Sequence, residues 1–77
     1  MNKPIIDTAV NKIHDLEQKY YLLYPSWRRG QTLFNCLNTL YPEIADGIRA
    51  TDVDPFYDDS LYHACWDQII KVLHEQD

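Results

Sequence analysis

Glycine and cysteine are scarce in this chain, and proline is little more common: two Gly, two Cys and four Pro in 77 residues. An all-β domain needs many tight turns, and so few turn formers leave little room for one. A secreted miniprotein of this size would carry a dense cysteine framework. Cys36 and Cys65 are read instead as reduced thiols of a cytoplasmic protein. No Cys-x-x-Cys pair occurs, and no two histidines lie three or four residues apart. His14, His63, His74, Cys36 and Cys65 therefore lack zinc-site spacing, and no cofactor or metal is expected. Basic residues are also few, seven Lys and Arg against twelve Asp and Glu, for a net charge of −5. A general nucleic-acid binder needs the opposite balance. The longest apolar run, Tyr20 to Pro25, is far short of the roughly 20 residues that cross a bilayer, so no membrane partner is expected. Met1 to Asp7 holds one lysine and no apolar stretch, so no signal peptide is expected.

What is present is the patterning of a small folded domain. Apolar residues make up 45% of the chain and charged residues 25%, ordinary globular values that exclude disorder. A core this small is marginal on its own. Ten aromatic residues (six Tyr, two Phe, two Trp) offset that, since each can bury about 150–250 Å². From Pro4 to Tyr24, residues Ile6, Ala9, Val10, Ile13, Leu16, Tyr20 and Leu23 recur at steps of three and four, the mark of an amphipathic helix. Glu17 falls at the edge of that arc and Leu22 points away from it. Pro25 stops the helix, because a residue before proline avoids the α region. Ser26 is placed to cap a second helix to Tyr41, with Trp27, Gly30, Leu33, Phe34, Leu37, Leu40 and Tyr41 on one side. Pro42 opens a short third helix to Ala50, with Ile44, Ala45 and Ile48 inward and Glu43 in its first turn. A loop follows to Asp59. Asp58, Asp59 or Ser60 then caps a last helix to about Glu75, whose apolar set is Leu61, Tyr62, Cys65, Trp66, Ile69, Val72 and Leu73, with Ile70 at the margin. The expected fold is all-α: one compact domain, residues 1–77, of three to four helices.

Two strings stand out against this pattern. One is Tyr24-Pro25-Ser26-Trp27-Arg28-Arg29-Gly30-Gln31 followed by Asn35; the other is Asp54-Pro55-Phe56-Tyr57-Asp58-Asp59-Ser60-Leu61. In this order they resemble a signature of small bacterial and phage proteins with no established activity. Its usual form is Pro, an aromatic or Leu, Arg, any residue, Gly-Gln, then Asn four residues on, with an Asp-Pro-Phe-Tyr string and paired acids later. The resemblance covers residues 16 to 73 and implies a compact helical fold without naming a reaction. This chain departs from the pattern by inserting the helix that starts at Pro42.

The residues of these strings each admit two readings. Arg28 and Arg29, in the first turn of a helix, oppose its dipole, so something must compensate. Either an acid of the 52–59 loop forms a forked salt bridge with Arg28, or both arginines bind a phosphate or a partner carboxylate. Gly30 is expected where another backbone or a ring, Tyr57 or Phe56, comes close. Gln31, Asn35 and Asn38 form a polar stripe suited to holding loop backbone or meeting a partner. Asp52, Asp54, Asp58 and Asp59 make an acidic patch for helix capping, arginine pairing, a weak divalent ion or a basic partner surface. Counted from Asp52, the sixth residue is Tyr57 where an EF-hand requires Gly, and the twelfth is His63 where it requires Glu. Tyr20, Tyr21, Tyr24 and Trp27 exceed what one helix face can bury, so part of this run is core and part an exposed patch.

Three classes of function compete. The leading one is a non-enzymatic protein-interaction module that binds another protein or itself, an accessory or inhibitory protein of a phage or mobile element by the resemblance above. The second is nucleic-acid association through Arg28 and Arg29, against which the acid excess weighs. A homodimeric structural protein with no ligand is the remaining alternative. An enzyme is not expected, since no nucleophile–base pair, phosphate loop or metal cage is legible.

Overall fold

The computed structural model describes residues 2–49 and 51–75, with side chains from Ile6 onward. It is all-α, with no strand among the described residues. Helix α1 spans Asn2–Leu23, α2 Arg29–Leu40, α3 Pro42–Ile48 and α4 Tyr62–Glu75, and a 3-10 turn at Asp59–Leu61 leads into α4. Among the described residues no helix is long and apolar enough to cross a membrane.

The stripes expected from the sequence converge in one core. Ile6, Ala9 and Ile13 of α1 meet Leu33, Phe34 and Leu37 of α2, Ile44, Ala45 and Ile48 of α3, and Tyr62, Cys65, Trp66, Ile69 and Leu73 of α4. Val10, Leu16, Tyr20, Leu40 and Val72 close its margins. Pro4 lies within the first turn of α1, where its missing N–H would have no helical partner anyway. α1 ends at Leu23, one residue before the expected Tyr24, consistent with the restriction on a residue preceding proline.

The start of α2 differs from expectation. Ser26 does not cap it. Tyr24 to Trp27 form a turn instead, closed by the Trp27 N–H on the Tyr24 carbonyl at 3.0 Å. Arg28 takes the cap position in extended conformation, and its carbonyl accepts both the Thr32 N–H (2.9 Å) and the Thr32 hydroxyl (3.0 Å). Trp27 therefore leaves the α2 stripe and lies in the turn, stacked on Tyr24 at 4.2 Å. Thr32 and Cys36 are buried as well, so the inward face of α2 is wider than the apolar stripe. Leu23, expected in the core, is exposed, because it is the last residue of α1 and α2 begins beyond the turn. The α3 helix ends at Ile48; Ala50, its expected end, lies outside the described residues. Asp58 is the residue that caps the entry to α4, accepting the Ser60 N–H at 3.0 Å.

Cys36 and Cys65 are free thiols within the core. Burial, first among the causes, pushes both from 9.0 up to about 12. A folded value above the ordinary one means that stability holds below about pH 9 and falls progressively as pH climbs toward about 12. We expect urea midpoints to drop between about pH 8 and about pH 11. Both thiols should resist a disulfide reagent at the lower pH until the chain unfolds; prompt modification of the native protein would contradict their burial.

Candidate interaction surface and its supporting network

The two strings singled out in the sequence meet at the N-terminus of α2. No side chain of the cap residue satisfies that helix end. Asp59, from the start of the 3-10 turn, does so across the fold: its Oδ1 accepts the Gly30 N–H at 3.0 Å. A carboxylate at a helix N-terminus is where the dipole favours it, and it offsets the two arginines. The Nε of Arg28 stands 3.7 Å from the same Asp59 oxygen. Arg28 does not form the expected fork; its Nη2 instead donates to the Phe56 carbonyl. Both side chains are about half exposed, so the charge pair is a weak contribution and the carbonyl bond the more specific one.

Gly30 is needed where the loop crosses. A Cβ built there would sit 2.1 Å from the Pro55 carbonyl oxygen. The close neighbour is thus loop backbone, one residue before Phe56, and neither Phe56 nor Tyr57 as a ring. Asp54 holds that crossing by accepting the Phe56 N–H at 2.9 Å, and the Phe56 ring packs edge-on against Phe34 with centroids 5.7 Å apart. Tyr57, next in sequence, is 84% exposed. Gln31 and Asn35 are half-buried and Asn38 is exposed, and among the described residues none of these side-chain amides is hydrogen-bonded to the loop. Their expected role in tying loop backbone is taken by Arg28, Asp54 and Asp59.

Arg29 diverges from Arg28. It lies over the Tyr62 ring, with Cζ 4.0 Å from the centroid, at one wall of a shallow cleft of about 330 Å³ between α1 and α4. Behind it lies a buried carboxylate that the apolar stripe did not include. Glu17 is 2% exposed; its Oε2 accepts the Tyr62 hydroxyl at 2.7 Å and its Oε1 lies 2.8 Å from His14 Nδ1. His14 in turn stacks on Trp66 at 4.7 Å. Burial is the main cause that pushes the Tyr62 phenol from 10.0 up to about 12. The signal for Glu17 was its spacing: Ile13, Glu17 and Tyr20 follow the i, i+4, i+7 rule of an inward face. Among the described residues no group of three or more His, Cys, Asp and Glu side chains could hold a metal ion.

The remaining feature is the corner between α1 and α2. Leu22 is 85% exposed and Leu23 60%, and Tyr24 is exposed beside them. Tyr24 belongs to a ring cluster in which Tyr20, Tyr24 and Trp27 contact one another at 4.2 to 5.7 Å. Residues 20–27 carry no charge. No family model, curated protein or solved structure matches the chain.

Two expectations follow from the network. Gly30→Ala should lower stability by about 2 kcal/mol or more, because the new methyl meets backbone rather than a movable side chain. Gly47→Ala, with nothing within 4 Å of its Cβ, should be neutral or stabilise by up to about 1 kcal/mol. Urea unfolding of both variants checks the contrast, and equal effects would remove the crossing argument. Similarly, Glu17→Ala should cost about 1–3 kcal/mol by leaving the buried Tyr62 hydroxyl without its acceptor. Glu17→Gln, which keeps an acceptor oxygen, should cost less; the same measurement ranks the pair.

Proposed function

We propose that this chain is a small, non-enzymatic protein-interaction module of the cytoplasm, which engages another protein or a second copy of itself through the α1–α2 corner. The single observation that carries the reading is the uncharged, exposed Leu22-Leu23-Tyr24 tip, whose Tyr24 ring packs on those of Tyr20 and Trp27. Leucines this exposed at a helix end contribute nothing to the chain's own core. A contiguous apolar patch with aromatic support is what recognition surfaces use as an anchor. The motif resemblance supports an accessory or inhibitory role in a phage or mobile element. Nucleic-acid association is the weaker reading. Arg28 is engaged by Phe56 and Asp59, Arg29 by the Tyr62 ring, and the net charge is −5.

A photo-crosslinking residue placed at position 22 of the full chain, in cells that carry it natively, tests the proposal. The expected result is a discrete protein adduct from position 22 that is missing when the probe stands at the exposed Asp67 position on α4. Equal or no labelling from the two positions would overturn the corner as an interaction surface.

A further inference from the structure

We draw no further inference here: the strongest candidate, the exposed apolar patch of Leu22, Leu23 and Tyr24 at the α1–α2 corner, belongs to the surface already described, and nothing in the structure shows what covers it.

Discussion

Much of this structure depends on one crossing, where the carbonyl of Pro55 passes over the first turn of α2. The passage is possible because Gly30 has no side chain. It is held because three polar groups converge on it: the Gly30 N–H on Asp59, Arg28 on the Phe56 carbonyl, and the Phe56 N–H on Asp54. A helix that begins with two arginines and no side-chain cap would be poorly terminated by itself. The loop supplies the missing anion from 29 residues away. In return, the helix end gives an irregular segment fixed partners for its backbone, and Phe56 is delivered to the edge of the core against Phe34.

The same crossing separates what is structural from what is free to meet a partner. Arg28, Gly30, Asp54, Phe56 and Asp59 are used within the molecule. Tyr57 remains on the outside of the loop, and Leu22, Leu23 and Tyr24 remain on the outside of the corner. The Glu17 network acts comparably on the other side of α2. It links α1 to α4 through Tyr62 and His14, and Arg29 stacks over the same Tyr62 ring. A buried carboxylate is tolerable only with such partners, and its loss would leave donors unpaired in a dry setting. These two networks act together with the apolar stripes in setting the helices against one another.

Much of the fold was legible in the chain itself. Steps of three and four along α1, α2 and α4 mark their inward faces, and Pro25 and Pro42 mark two of the boundaries. Gly30 was legible as a position of close approach, and Arg28 as the partner of the 52–59 loop. Periodicity failed at the ends of helices and at polar residues. It put Leu23 and Trp27 on buried stripes, but a stripe continues only as long as the helix does, and a four-residue turn intervenes. It left Glu17 at an edge because a carboxylate is not scored as inward, although its spacing from Ile13 and Tyr20 is that of a core position.

What the sequence determined alone is therefore local: helical periods, proline stops, an excess of acids and an uncharged stretch at residues 20–27. These follow from each residue's own dihedral preferences and polarity. Only the tertiary structure decided which Pro, Asp and Arg meet at Gly30, which hydroxyl and ring satisfy Glu17, and which apolar groups stay outside. Apart from the His14–Glu17 pair within α1, such pairings join residues that are 25 to 45 positions apart. They depend on the closing of the loop between α3 and α4 and on the packing of α4 against α1, which no single stretch of chain encodes by itself.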